Sequence, residues 1–215
     1  MFRVIRENMP DAELASFCNW NSINIGIIEN GLGVTKGSGN DEEITNQVCR
    51  YIEDHDPALL FIQLDEVDGA GHYHGYGKEG HLKQIEASDA LIGRIWDAYS
   101  ARGWIDDTLF IVTADHGGIG HSHGGWTDGE KYVTFAAAGK GVNHTLIKEM
   151  NIRDLAAVVL YALGVKAPEF EEVGWTAQIP EGIFTDDTLP IYQDISHLTG
   201  AAPRISKVPH TSELI

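Results

Sequence analysis

Short apolar runs alternate along the chain with longer amphipathic stretches, a pattern that predicts an α/β fold. Five apolar runs predict strands, at 14–17, 23–28, 59–64, 108–113 and 133–137. The runs 59–64 and 108–113 are almost entirely apolar, which is typical of strands that are covered on both faces of a sheet. We therefore expect a sheet that is mostly parallel, with helices between its strands.

Three amphipathic stretches predict helices, at 41–54, 81–102 and 152–163. The first has Asn40 or Asp41 as its N-cap candidate, and acidic residues in its first turn favour the positive end of the helix dipole. Glycines follow the other two stretches and indicate where they end. The pattern becomes mixed and contains several prolines after residue 184. We therefore predict one main domain, 1–184, and an irregular C-terminal tail, 185–215.

Composition and charge narrow the function classes. The chain has 215 residues, of which 43% are hydrophobic and 22% are charged, as in soluble globular proteins. Fifteen basic and 32 acidic residues give a net charge of -17, which argues against binding to a nucleic-acid polymer. No apolar run is long enough to predict a membrane span. Cys18 and Cys49 have no metal-type or redox-type spacing, so we expect buried thiols. Localisation is left open.

Residue types that commonly bind metals, aspartate and histidine, follow two of the predicted strands closely. In α/β sheets, functional groups collect beyond the carboxyl ends of the strands. Carboxylate oxygen and imidazole nitrogen together form a ligand set that zinc and related divalent metals accept. We therefore predict a metal site at the ends of strands 59–64 and 108–113. Its candidate ligands are Asp68, His72, Asp115, His116 and His123.

Other polar residues near these strands have weaker assignments. His121 is the alternative to His123 as a ligand, and His74 is interpreted as a residue of the pocket rim or the surface. Asp65 either orients a ligand or is a solvated strand end. Aromatic side chains nearby either form a rim around the site or pack locally; these are Tyr73, Tyr76, Trp126 and Tyr132. Isolated histidines are predicted to lie on the surface, namely His55, His81, His144, His197 and His210.

The order of the motifs resembles that of type I phosphodiesterases and nucleotide pyrophosphatases, in the alkaline phosphatase superfamily. Residues 68–75 resemble the family's D-x-x-G-H-x-x-G motif, and residues 113–118 resemble its T-x-D-H-G strand end. Residues 123–130 resemble the H-G-G-x-T-x-x-E segment. The segments 152–164 and 174–175 resemble the helix and the turn that follow it. The resemblance extends to about residue 184.

This resemblance implies an alkaline-phosphatase-like three-layer αβα sandwich with a mostly parallel central sheet. It implies a hydrolase of small phosphate esters that uses two divalent metals, commonly zinc, with manganese as an alternative. Asp68, His72 and His123 would hold one metal, and Asp115 and His116 would help to hold the other. The implied reaction is in-line attack on phosphorus by a threonine or serine alkoxide, followed by hydrolysis of the phospho-enzyme.

The sequence departs from the family pattern before Asp68. Family enzymes begin with a strand that ends in a metal-binding aspartate and a helix that presents the nucleophile, and no segment before Asp68 resembles these. We therefore expect a fragment whose fold is incomplete at the N-terminus and whose second metal site lacks an aspartate. Such a chain would bind one metal and turn over poorly. The uncovered sheet would favour a homo-oligomer.

Two alternatives stay open. The chain could be a metal- or phosphate-binding module without catalysis. Among enzymes, it could be a phosphopentomutase or a cofactor-independent phosphoglycerate mutase, although the motif at 123–130 favours the phosphodiesterase branch. The substrate is left open among nucleotide, phospholipid head-group, phosphonate and sugar phosphate esters.

Overall fold

A computed structural model of the protein describes residues 1–147, 149–165 and 177–185. The described residues form two compact units: residues 11–137 make up one, and residues 3–10 together with the described residues from 138 onward make up the other. All the candidate ligands belong to the unit of residues 11–137. The predicted turn at 174–175 and almost all of the predicted tail lie outside the described residues.

The strands of the described residues form two hydrogen-bonded sheets. They are β1 (Leu14–Cys18), β2 (Val34–Ser38), β3 (Leu59–Gln63), β4 (Leu109–Thr113) and β5 (Phe135–Gly139). The first three form a parallel sheet in the order β2-β1-β3, with Leu14 level with Val34 on one side and Leu59 on the other. β4 pairs with β5 in a two-stranded sheet. The parallel arrangement agrees with the prediction.

The helices of the described residues include the three predicted stretches and three that were not predicted, namely the first, third and fifth along the chain. They are α1 (Phe2–Asn8), α2 (Asp41–Asp54), α3 (Glu66–His74), α4 (Glu79–Ala101), α5 (Asp128–Lys131) and α6 (Leu155–Ala162). α2 begins after Asn40, whose side chain accepts from the backbone N–H of Glu43 at 2.9 Å, while the Glu43 carboxylate accepts from the Asn40 N–H at 3.0 Å. This capping box fixes the start of α2 where it was predicted. A 3₁₀ turn, Ile152–Asp154, precedes α6 within the third predicted helix.

One predicted strand is wrong. Residues 23–28 form a short π-helix, Ile23–Ile27, and the strand of this region is β2, which the sequence analysis missed. The isoleucines at alternate positions imitate a strand, but Ile25 and Ile27 are exposed, whereas Asn24 is buried. The Asn24 amide donates to the Gly37 carbonyl at 2.8 Å. A buried polar side chain with a partner on β2 therefore decides the local structure.

The core of the unit that carries the candidate ligands lies between β1 and two helices, α2 and α4. Its buried members are Ala15, Phe17, Ile44, Val48, Ile52, Ile95 and Tyr99. The three residues from α2 are spaced by four, so they share one face of the helix. This packing holds α2 and α4 against β1, next to β3, whose carboxyl end leads into the candidate site.

The prediction that 59–64 and 108–113 are covered on both faces is not met. Every residue of β3 and β4 is partly exposed, whereas all five residues of β1 are buried. β1 is the central strand of its sheet, and β3 lies at the edge. Complete burial therefore follows the position in the sheet rather than the apolar run alone.

The unit that contains α6 also buries apolar side chains. Its buried residues include Ile5, Ala157, Val158, Leu160, Ile179 and Ile183. An isolated antiparallel bridge joins Val142 to Phe184. Across the described parts of both units, the helices are too short or too polar to cross a membrane.

Candidate metal centre

The residues after β3 form a helix, α3, that the sequence analysis did not predict. Asp68 and His72 are four residues apart on it, and this spacing places their side chains on one face of a helix. The Nε2 atom of His72 lies 3.4 Å from Oδ2 of Asp68. The D-x-x-G-H spacing is therefore a helical spacing that brings two ligand candidates together.

The start of α3 is fixed by Asp41, the first residue of α2. Its fully buried carboxylate accepts from the backbone N–H groups of Asp65 at 2.9 Å and Glu66 at 3.1 Å, and from the Asn19 amide at 2.8 Å. An anion at this position satisfies free N–H groups and favours the positive end of the helix dipole. Asp41 therefore positions the helix that carries Asp68 and His72. The sequence analysis considered Asp41 only as a cap of its own helix.

His123 completes a three-residue group with Asp68 and His72. The Nε2 atom of His123 lies 3.7 Å from Oδ1 of Asp68, and the rings of His72 and His123 have centroids 5.0 Å apart. One ligand atom from each residue lies within 4.8 Å of the other two. The structure thus brings together residues that are up to 55 positions apart in the sequence.

His121 connects the loop after β4 to α3. The Nδ1 atom of His72 lies 2.8 Å from the His121 carbonyl oxygen, and Nδ1 of His121 lies 3.0 Å from the His72 carbonyl oxygen. Because a carbonyl oxygen only accepts, Nδ1 of His72 is the donor, which leaves its Nε2 toward Asp68. An orienting bond of this kind is typical of metal-binding histidines. The geometry favours His123 as the ligand and gives His121 a different contact.

The end of the H-G-G-x-T-x-x-E segment, which begins at His123, forms a capping box. The buried Glu130 carboxylate accepts from the Gly125 N–H at 2.8 Å, the Thr127 N–H at 3.1 Å and the Thr127 hydroxyl at 2.6 Å. These bonds start α5 and hold the backbone two residues after His123. The glutamate of the motif therefore supports the loop.

We expect Glu130 to make stability depend on acidic pH. The Thr127 hydroxyl, followed by the N–H groups of Gly125 and Thr127, lowers the pKa of Glu130 below its ordinary value of 4.5. A lowered folded-state pKa gives stability that is present above pH 4.5 and is lost as the pH falls through the folded pKa. Urea unfolding of the metal-free protein should therefore show a smaller loss of stability at acidic pH in Glu130→Gln than in wild type. Equal pH profiles would contradict this.

Asp115 and His116 lie beside the three-residue group. The ring of His116 stacks on that of His123, with centroids 3.8 Å apart and planes inclined by 17°. Nε2 of His116 is 3.8 Å from Oδ2 of Asp115, whose side chain is 85% exposed. Within the described residues, these two form a pair and not a group of three. They adjoin the first group through the stacked rings.

Tyr76, which the sequence analysis named only as a rim or packing aromatic, contacts Asp68, and His81, which was predicted to lie on the surface, packs beside it. The Tyr76 hydroxyl donates to Oδ1 of Asp68. Burial, followed by the hydrogen bond to Asp68, raises the pKa of Tyr76. His81 was predicted to lie on the surface, but it is buried, and its ring lies 5.2 Å from that of Tyr76. An isolated histidine carries no sequence signal of burial, which here comes from its place on α4.

The remaining candidates have simpler surroundings. Asp65 accepts from the Gln63 amide at 2.7 Å and precedes α3. His74, His55 and His144 are exposed, as predicted for the last two; His197 and His210 lie outside the described residues. Three of the four aromatic residues near the site are exposed, namely Tyr73, Trp126 and Tyr132. Cys18 is buried as predicted, whereas Cys49 is only half-buried.

Comparison with known proteins gives the family. The family model for type I phosphodiesterase / nucleotide pyrophosphatase matches residues 20–173, more than half of the chain. The chain belongs to this family. All five candidate ligands lie within the matched region, and members of the family are metalloenzymes. No curated protein matches the chain.

A solved structure has a similar fold. A phosphoglycerate mutase from Leishmania mexicana, determined at low cobalt concentration, is similar with a TM-score of 0.56 and 15% sequence identity. The match covers 79% of this chain and 37% of the mutase, so the chain spans little more than a third of the length of that protein. At this identity the similarity shows the fold alone. Together with the family match, it confirms an alkaline-phosphatase-like α/β fold.

Proposed function

We propose that this chain carries the metal-binding part of a divalent-metal-dependent hydrolase of phosphate esters. The family match supports a phosphoester hydrolase of the phosphodiesterase or pyrophosphatase type. The observation that carries the proposal is the convergence of Asp68, His72 and His123, whose ligand atoms lie within 4.8 Å of one another.

The geometry of these three residues fits a small divalent metal. Donors about 2.0–2.2 Å from a common tetrahedral centre lie about 3.3–3.6 Å from each other. Nε2 of His72 lies 3.4 Å from Oδ2 of Asp68, and Nε2 of His123 lies 3.7 Å from Oδ1. One ligand atom from each of the three residues lies within 4.8 Å of the other two, which is close to this arrangement. One carboxylate and two imidazoles are a donor set of catalytic zinc sites, which keep a further position open. Zinc is therefore the metal we propose, with manganese as the alternative.

A divalent metal at such a site polarises a phosphoryl oxygen and lowers the pKa of a bound nucleophile. In this chain, Asp68 supplies the negative charge, and His72 is oriented by its bond to the His121 carbonyl. We propose that Asp115 and His116 help to hold a second metal, since His116 stacks against His123. Two adjacent metal positions would bind both the attacking and the leaving oxygen of the ester.

We also propose that this polypeptide hydrolyses phosphate esters slowly. The hydroxyls of the two threonines in the matched motifs are already engaged, because Thr113 donates to the Thr134 carbonyl at 3.0 Å and Thr127 donates to Glu130 at 2.6 Å. Neither has the setting of an activated nucleophile, which needs an adjacent base or a metal. In the sequence, no segment resembles the family's nucleophile segment.

The test combines metal analysis with hydrolysis of bis(p-nitrophenyl) phosphate. After dialysis against zinc or manganese, we expect about one tightly held metal per chain, as a single three-ligand site would bind. We expect slow, metal-dependent hydrolysis that Asp68→Asn removes. Absence of bound metal would overturn the proposal. A rate no higher than that of Asp68→Asn would favour the non-catalytic binding module, and fast hydrolysis would contradict the slow turnover.

A phosphoryl-transfer mutase is the second candidate, because the similar solved structure is a phosphoglycerate mutase. A mutase moves the phosphoryl group between hydroxyls of one molecule, whereas a hydrolase releases inorganic phosphate. Phosphorus NMR of the metal-loaded chain with a phosphoglycerate therefore separates the two. Interconversion of phosphoglycerate isomers without release of phosphate would favour the mutase.

A further inference from the structure

We infer that Tyr76 is a positioning residue, whose hydroxyl fixes the Asp68 carboxylate for metal binding. The inference rests on the proposed function, since it concerns the same site. The Tyr76 hydroxyl donates to Oδ1 of Asp68, while Oδ2 faces Nε2 of His72 at 3.4 Å. The two oxygens of one carboxylate therefore have different partners, and the hydrogen bond sets the rotation of the group.

The ring of Tyr76 is held by backbone from two separate segments. A Cβ atom at Gly71 would lie 2.5 Å from Cε1 of Tyr76, and one at Gly118 would lie 2.5 Å from Cδ1. Real Cβ atoms do not approach other atoms so closely, so the ring occupies the space that side chains at these positions would need. The backbone N–H of Tyr76 donates to the Gly120 carbonyl at 2.7 Å. Glycine in the D-x-x-G-H motif is thus explained by the tyrosine that packs on it.

Tyr76 also contacts both histidines of the group. Its ring packs edge-on against His72, with centroids 5.9 Å apart, and against His123, with centroids 6.4 Å apart. One side chain therefore touches all three ligand candidates. A carboxylate that is already oriented loses less conformational freedom when it binds a metal, and hydrogen bonds to ligating carboxylates are a common means of such orientation.

Tyr76→Phe tests the role of the hydroxyl, because it keeps the ring between the two glycines. We expect zinc affinity, measured by competition with a chelator, to fall about 10–100-fold, as is typical when a partner of a metal ligand is removed. The matched control is Tyr73→Phe, which removes a hydroxyl from a tyrosine of α3 that is 80% exposed. Its zinc affinity should equal that of wild type. Circular dichroism of the metal-free variants checks that both are folded.

A spectroscopic measurement separates positioning from general stability. The visible absorption of Co²⁺ bound at the site reports the ligand geometry, so we expect Tyr76→Phe to change this spectrum and Tyr73→Phe to leave it unchanged. Gly71→Ala should displace the ring and weaken zinc binding in the same direction as Tyr76→Phe. Gly69→Ala is its matched control on the same helix, because a Cβ there meets no atom within 4 Å.

The possible results are distinct. If Tyr76→Phe keeps the zinc affinity and the Co²⁺ spectrum of the wild type, this inference is overturned and the proposed function stands. A fall in Gly71→Ala alone would likewise overturn it, since only the packing of the ring would then matter. Absence of metal binding in the wild type would instead be a failure of the proposed function.

Discussion

Replacing His123 with alanine is expected to lower zinc affinity by more than about 100-fold, beyond the 10–100-fold that loss of an outer partner costs. The side chain provides one of three donors that lie within 4.8 Å of one another. Removal of the His123 side chain leaves the metal with two protein donors, Asp68 and His72, instead of three. Competition with a chromophoric chelator measures the change. His74→Ala is the control, because His74 is an exposed histidine of α3 outside the group.

The same experiment decides between the two histidines of the loop after β4. His121→Ala should weaken zinc binding less than His123→Ala, because His121 has no place in the three-residue group. The variant keeps the His121 carbonyl that accepts from Nδ1 of His72 at 2.8 Å and loses only the side-chain bond of 3.0 Å to the His72 carbonyl. The reverse order of effects would make His121 the ligand. Equal, small effects of both variants would show that the loop contributes no donor.

Replacing Asp41 with alanine is expected to lower the free energy of unfolding by about 3–5 kcal/mol. Three donors lose their acceptor, and each buried unsatisfied group costs about 1–3 kcal/mol, part of which water entering the space recovers. The loss is large against the 5–15 kcal/mol of a typical domain. Since two of these donors begin α3, zinc affinity should fall as well. Urea unfolding of the metal-free chain measures the free energy of unfolding, and competition with a chelator measures the zinc affinity.

Asp54→Ala provides the matched control for this prediction. Asp54 is an exposed aspartate at the other end of the same helix, so its removal should change the free energy of unfolding by less than about 0.5 kcal/mol. A loss below about 1 kcal/mol in Asp41→Ala would contradict the role of Asp41 as the cap of α3.

The accuracy of the sequence predictions followed the strength of the local signals. The start of α2 was predicted correctly because its cap is local: Asn40 and Glu43 form a capping box from neighbouring positions. The π-helix at Ile23–Ile27 was missed because alternate isoleucines imitate a strand, and only the contact between Asn24 and Gly37 shows otherwise. β2 was missed because its residues, Val-Thr-Lys-Gly-Ser, contain little apolar pattern and pair with a buried neighbour.

In the candidate site as well, the residues with a local sequence signal could be predicted and those without one could not. Asp68, His72 and His123 could be singled out because they belong to motifs that follow two predicted strands in the order of the family pattern. The roles of Asp41 and Tyr76 could not be predicted, since they depend on contacts with residues 24 and 8 positions away. No short pattern distinguishes such residues from an ordinary aspartate in a first turn or a tyrosine in a loop.

The amino-acid sequence by itself determined the α/β class, the family and the identities of the candidate ligands, because periodicity and motif spacing are local properties of the chain. The tertiary structure alone decided that Asp41 starts α3 and that Tyr76 holds the Asp68 carboxylate, and it places His123, the histidine that the sequence favoured over His121, 3.7 Å from Asp68. These contacts join separate segments of the chain, and the distances between such segments are set by the packing of the whole unit.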